Sequence, residues 1–405
     1  MSNGIIIIGA GHAGIQTAAS LRERGYEGRI RLVAEESDAP YQKPPLSKDY
    51  LKGKVEAANL AFRAENFYSD RQIDLHLGQR VEHLDPAERT VTLSDGQALA
   101  YDQLVLATGA RNRPLPVPGA DLAGVCYLRT LADAQQIRAQ LEQAQRVAVI
   151  GGGFIGLELA AVAAEKGKAV AVIEAQERLM ARVLPPLMSE VFAQTHREHG
   201  VALHLGQQVA ELLGENGRVC GLRTQQGLAL EADLVLVGIG VLPNQELAEA
   251  AGLACRNGIA VDEQLRSADP HIFAIGDCAC YPHWLAGREL RLESVQNATD
   301  QAKALAATLT GTPTAYQSVP WFWTHQYHLK LQMAGINQPH DRYLLRGKPD
   351  SGKFSVFYFQ KDRLIGADSL NSAADHLVTR RLLAEGMTPA DEQLSDTGFK
   401  LKKLF

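Results

Sequence analysis

Two glycine clusters carry the plainest chemistry in the chain. Residues Ile5 to Ala18 read IIIIGAGHAGIQTA, with Gly9, Gly11 and Gly14; residues Val147 to Ala160 read VAVIGGGFIGLELA, with Gly151, Gly153 and Gly156. Each cluster follows an apolar run and opens an alanine-rich, helix-forming stretch. In such a strand–turn–helix the first glycine permits a tight turn. The second lets a pyrophosphate approach the backbone, and the third lets helix and strand pack closely. The helix start then offers N–H groups and partial positive charge to phosphates. An acid follows each cluster: Glu35 lies 21 residues past Gly14, and Glu174 lies 18 past Gly156, each at the end of an apolar run. A carboxylate there accepts both hydroxyls of an adenosine ribose. Two such constellations predict two dinucleotides, one resident and one visiting. A flavin that takes hydride from a nicotinamide needs that arrangement.

Other side chains bear on the redox step. Glu158 is the only charge in FIGLELAA, residues 154–161. It either reaches the helix surface or is buried with a partner, because a lone buried charge is costly. Lys48 follows Pro44-Pro45-Leu46-Ser47, so it is placed early on a short helix. Trp321 and Trp323 flank Phe322 at strand spacing and can share a face. The cysteines at 126, 220, 255, 278 and 280 include no C-x-x-C or C-x-x-x-x-C pair. Cys278 and Cys280 read as small buried residues. Without a dithiol, electrons must leave a flavin by another route; flavin can release them one at a time, which suits an iron–sulfur acceptor.

These features occur with Pro44-Pro45-Leu46-Ser47-Lys48, Ala107-Thr108-Gly109, Gly238-Ile239-Gly240-Val241-Leu242-Pro243-Asn244, Ala274-Ile275-Gly276-Asp277 and Trp321-Phe322-Trp323. With them the chain resembles the FAD-dependent, NADH-dependent reductases of oxygenase electron-transfer chains: the putidaredoxin, rubredoxin and biphenyl-type ferredoxin reductases. The resemblance implies that Gly9, Gly11 and Gly14 hold FAD, with Glu35 on the ribose, Asp277 on the ribityl chain or pyrophosphate, and Lys43 where relatives often carry Arg. Ala107, Thr108, Gly109, Gly276 and Val295 would line that cofactor. Gly151, Gly153, Gly156, Glu174 and Gly238 would hold NADH. Lys48 and Glu158 would pair near flavin N5, and Trp321 would stand by the flavin toward the acceptor. His325 stands where many relatives carry Asp. Its role is left open, and His12 reads as a spacer near phosphate. Glu174 repels a 2′-phosphate and favours NADH; Arg178 is the one cation close enough in sequence to oppose that.

The elements that must position these residues repeat. The glycine clusters lie 142 residues apart, and the strands LVL104–106 and LVL234–236 lie 130 apart. The expected fold is α/β: two Rossmann-like dinucleotide-binding domains of glutathione reductase type plus a C-terminal α+β domain. The FAD domain is expected over 1–112 and 245–319, the NAD domain over 113–244 with a proline-rich hinge at 111–119, and the third domain over 320–405. In the third domain, 354–359 and 364–367 read as neighbouring strands, 373–384 as a helix, and 400–405 as a fraying end.

The 405 residues are 46% hydrophobic and 21% charged, with a net charge of -5. That composition suits a globular protein and disfavours nucleic acid as a partner. Only Met1 to Gly4 precede the first apolar strand, and no apolar run approaches the ~20 residues of a membrane helix. A cytoplasmic protein, monomeric or weakly dimeric and without a membrane partner, is expected. From Pro320 onward 12 basic residues face 9 acidic ones, a net +3 that favours an acidic ferredoxin-like partner. Direct reduction of a quinone, peroxide or organic radical is the rival activity, and a dinucleotide-responsive signalling protein is the non-enzymatic one.

Overall fold

The computed structural model describes residues 3–405. They form two compact units. The first comprises residues 3–42, Ala61–Arg111 and Leu242–Phe322; the second comprises Lys43–Leu60, Asn112–Val241 and Trp323–Phe405. The chain changes unit between Arg111 and Asn112 and again between Val241 and Leu242, and residues 43–60 belong with the second unit.

The first unit is built on five parallel strands, in the order Ile272–Ala274, Gln103–Leu106, Ile5–Ile8, Ile30–Ala34, Ile73–Leu77. The central strand is buried throughout, because a parallel sheet is covered on both faces and its strands lose the apolar–polar alternation of a half-exposed sheet. Helix His12–Glu23 follows it and packs on helix Val295–Leu309.

The second unit repeats the plan. Its parallel order is Ala202–Leu205, Ala169–Glu174, Arg146–Ile150, Leu234–Val237, Val125–Tyr127. Again the glycine strand is central, flanked by the strand that ends in the acid and by the LVL strand. The outermost strand differs in origin. In the second unit it comes from before the glycine strand, and in the first it arrives well after the LVL strand, at Ile272–Ala274.

Apart from Trp321 and Phe322, the same unit carries the C-terminal sheet, ordered Trp321–Gln326, Leu329–Gly335, Arg363–Leu370, Lys353–Gln360, Arg342–Lys348. Strands Lys353–Gln360 and Arg363–Leu370 pair antiparallel through a two-residue turn, with Lys361 and Asp362 at φ 48° and 60°. Helix Ala373–Ala384 lies against Arg363–Leu370. Both the hairpin and the helix fall where the sequence placed them. The chain end departs from expectation: Leu401–Leu404 form a 3₁₀ turn with Leu401 buried. The α/β class with two Rossmann-like domains and a C-terminal α+β domain is the observed one. Among the described residues no helix is long and apolar enough to cross a membrane.

Candidate active site

Each glycine does a separate job, and the two clusters match position by position. Gly9 has φ +110°, and a Cβ there would meet the Ala107 carbonyl oxygen at 2.2 Å; Gly151 has φ +104°, and its Cβ would meet the Gly238 carbonyl oxygen at 2.5 Å. Gly14 and Gly156 seat their helices directly on these turns. Their Cβ atoms would meet the Gly9 and Gly151 carbonyl oxygens at 1.9 and 2.1 Å. The middle glycines face space. Nothing stands within 4 Å of a Cβ on Gly11, and only the Gly238 carbonyl, at 4.0 Å, faces one on Gly153. The backbone ladders match too: Gly9 N–H donates to Val33 and Gly151 N–H to Ile173, both at 2.8 Å. Neither helix has a capping side chain or an acid in its first turn. An uncapped, acid-free helix start beside an open glycine suits a pyrophosphate, so the residues present fit a dinucleotide in each unit.

The acids differ in setting. Glu35 is 72% exposed and lies 3.8 Å from an equally open Arg80. Glu174 is held: Oε2 accepts from Gly152 N–H at 2.6 Å and Oε1 from Gln176 N–H at 2.8 Å. Arg178 is engaged elsewhere. Its guanidinium donates to the carbonyls of Ala181 and Leu184 and, at 2.8 Å, to Ser189 Oγ. It staples the loop after Glu174 and is not poised to meet a 2′-phosphate.

In the first unit the Ala107-Thr108-Gly109 turn is clasped by Asn244. Thr108 Oγ1 donates to the Asn244 carbonyl at 2.7 Å, Asn244 Nδ2 to the Thr108 carbonyl at 2.9 Å, and Asn244 N–H to the Gly109 carbonyl at 2.9 Å. Gly276, φ +75°, brings its backbone to 3.1 Å, measured from a notional Cβ, of the Ala13 side chain; its N–H donates to Gln301 at 2.7 Å. Asp277 follows on the same short 3₁₀ turn, and its carbonyl accepts from Arg291 at 3.0 Å. Arg291 also pairs with Glu293 at 2.7 Å and is only 8% exposed, so it is structural. Val295 begins helix Val295–Leu309, capped by Ser294.

The charged pair read from the sequence forms within the second unit. Glu158, 2% exposed, accepts from Lys48 Nζ at 2.7 Å on Oε2. Two hydroxyls that sequence reasoning missed complete it: Ser47 donates to Oε2 at 2.5 Å and Thr324 to Oε1 at 2.6 Å. Ser47 had a signal, since it adjoins Lys48. Thr324 had only its place on a strand beside Trp323. Lys48, expected early on a short helix, instead follows the 3₁₀ turn Pro44–Ser47 as its C-cap. Lys43 caps that turn and donates to the Arg129 carbonyl at 3.3 Å.

All five cysteines are free. Cys278 is fully buried, and burial pushes its thiol upward, away from the reactive thiolate. Trp321, Phe322 and Trp323 are half-buried on strand Trp321–Gln326, and the Trp321 N–H donates to Gln296 at 3.0 Å. His12 sits edge-on to Phe62 at 4.6 Å.

The comparisons with known proteins agree with this geometry. Residues 3–302 match the family described as Pyridine nucleotide-disulphide oxidoreductase, and residues 321–405 match the Reductase C-terminal family. Rhodocoxin reductase of Rhodococcus erythropolis is 50% identical over 98% of this chain and 93% of its own. A crystal structure of a ferredoxin reductase from Rhodopseudomonas palustris superposes with TM-score 0.97 at 46% identity, covering 100% of both chains. Putidaredoxin reductase, in its covalent complex with putidaredoxin, gives TM-score 0.96 at 41% identity over 99% of this chain and 97% of that one. The chain therefore belongs to the pyridine nucleotide-disulphide oxidoreductase family, flavin- and pyridine-nucleotide-dependent oxidoreductases, in the branch that carries a reductase C-terminal domain.

Proposed function

We propose that the protein is an NADH-dependent FAD enzyme that reduces a small ferredoxin-like iron–sulfur protein, which in turn feeds an oxygenase. One observation carries the reading: two glycine cradles of matching geometry in a chain whose cysteines offer no thiol couple. When bound, FAD takes two electrons together from NADH and releases them one at a time.

The residues do the rest. Gly9, Gly11 and Gly14 cradle the FAD pyrophosphate, and Glu35 binds its ribose. Asp277, Val295, Gly276 and the Ala107-Thr108-Gly109 turn line the remainder, with Lys43 as a point charge where an Arg fork would be bidentate. Gly151, Gly153, Gly156 and Gly238 cradle NADH. The preordered Glu174 carboxylate receives the ribose hydroxyls and disfavours a 2′-phosphate, while the commitment of Arg178 to its own loop removes the nearest compensating cation. Lys48 places a positive charge where reduced flavin is negative, and Glu158 holds Lys48. Trp321 shields the acceptor side. No side chain acts as acid or base. The domains read as 1–112 with 245–319, 113–244 and 320–405, and the net positive charge of the last favours an acidic partner.

The test is turnover of the purified yellow protein with NADH against a panel of [2Fe–2S] ferredoxins and rubredoxins, with quinones alongside. A redoxin with the highest kcat/KM supports the reading; a quinone that exceeds every redoxin overturns it.

A further inference from the structure

The Glu158 carboxylate does not end at Lys48. Thr324 Oγ1, which donates to Glu158 Oε1 at 2.6 Å, accepts from Gln326 Nε2 at 3.3 Å. Gln326 Oε1 lies 2.9 Å from His196 Nε2. Thr324, Gln326 and His196 are 0, 1 and 0% exposed, so the chain of groups is shielded from bulk solvent. Its polarity follows from the donor inventory. A carboxylate only accepts, so the single hydroxyl proton of Thr324 points to Glu158 and its oxygen accepts from the Gln326 amide. The Gln326 oxygen then faces His196, which must carry its proton on Nε2. Burial lowers the His196 pKa, in keeping with a neutral ring. His196 stands edge-on to Tyr327 at 5.2 Å, and Tyr327 stacks on His199 at 3.7 Å, so helix Pro186–Glu198 and the end of strand Trp321–Gln326 are pinned together.

We infer that Thr324, Gln326 and His196 form a directional chain of positioning residues that fixes the plane of the Glu158 carboxylate and, through it, the direction of Lys48. Ser47 and Lys48 both bind Oε2, so Thr324 alone anchors Oε1. Without that anchor the carboxylate turns about its last bond and carries Lys48 with it. The inference rests on the proposed placing of Lys48 beside the flavin, because the chain acts only through that pair.

The experiment compares Thr324→Val, Thr324→Ser, Glu158→Gln and the double variant Thr324→Val/Glu158→Gln as FAD-loaded enzymes. Anaerobic flavin reduction by NADH, the NAD⁺ dissociation constant, the flavin midpoint potential and thermal unfolding are read for each. Thr324→Val is expected to slow flavin reduction about tenfold, as a misplacement of an ångström or less can do, to move the potential to a more negative value, and to leave NAD⁺ binding within about twofold. Thr324→Ser restores the rate and the potential. In the Glu158→Gln background Thr324→Val adds no further loss of rate, because the two act through one contact. Should Thr324→Val not hold flavin, Gln326→Met breaks the chain one group further back and is read the same way. Additive losses in rate, or a potential that Thr324→Val leaves unmoved, overturn the chain. A Lys48→Met enzyme with unchanged rate and potential instead overturns the placing of Lys48 beside the flavin.

Discussion

The amide of Gly152 donates across 2.6 Å to Glu174, so the second glycine turn and the acid 22 residues later are locked before any nucleotide arrives. Glu35 and the first turn show no such lock; Glu35 stands open to solvent. The same fold thus presents one preordered carboxylate and one exposed one. Glu174→Ala should raise the NADH dissociation constant about 10–100-fold, the loss of hydrogen bonds to a charged acceptor, and leave FAD content unchanged. Equal losses of the two nucleotides by titration would show that the assignments are exchanged.

The glycines separate folding from binding. Gly14→Ala drives a Cβ to 1.9 Å from the Gly9 carbonyl oxygen, so the helix must shift; overpacking of this kind costs about 1–3 kcal/mol or more. Gly11→Ala meets nothing within 4 Å. Gly11→Ala should therefore melt close to the parent in apoprotein form yet lose FAD, while Gly14→Ala should melt well below it. The ratio of flavin to protein absorbance and a thermal scan measure both. A Gly11→Ala protein that is yellow and fully loaded would refute the open-cradle argument.

Lys48→Ala leaves Glu158, 2% exposed, with two hydroxyls and no counter-charge. Breaking a buried pair from one side costs about 3–5 kcal/mol, reduced here because Lys48 is itself 19% exposed. Slower flavin reduction and a lower melting temperature should appear together. Lys48→Ala/Glu158→Leu should regain the melting temperature and not the rate.

Asp368 supplies a pH signature. It is fully buried and accepts from Tyr358 at 2.8 Å and from Asn337 at 3.3 Å, and burial pushes its carboxyl up to about 7. The folded pKa lies above the unfolded value of about 3.9, so the contribution to stability is full below pH 4 and is lost as pH rises through 7. Asp368→Asn removes this titration. The difference in melting temperature between variant and parent should move in the variant's favour from pH 4 to pH 8, and a flat difference would contradict it.

The thiols give a chemical test. Cys220 is exposed, whereas Cys278 and Cys280 are buried with their thiols pushed up by burial. A thiol reagent should label Cys220 first, and Cys278→Ala/Cys280→Ala should retain ferredoxin reduction. Loss of turnover with the fold intact would restore a dithiol mechanism.

What could be read from sequence was local. The glycine spacings, the acids at strand ends, the hairpin at Lys361-Asp362 and the helix over 373–384 are each written within about twenty residues. Glu158 betrayed itself as a charge in an apolar helix, which narrowed its fate to the helix surface or a buried pair. Of its hydroxyl partners only Ser47, beside Lys48, had a signal; the two stand 111 and 166 residues away, and serine and threonine are common everywhere. Arg178 misled for the opposite reason: proximity in sequence to Glu174 says nothing of the loop carbonyls that hold it. The grouping of 43–60 with the second unit also has no local signal.

That grouping makes the chain hard to dissect. A fragment cut at the two crossings, 112–241, would contain Glu158 but leave Ser47 and Lys48 on the discarded piece and Thr324 beyond its far end. The excised fragment would carry a stranded anion in its interior. The two nucleotide modules, alike enough to read as a duplication, are therefore not interchangeable parts: the earlier one has lent the later one the cation that makes its core tolerable.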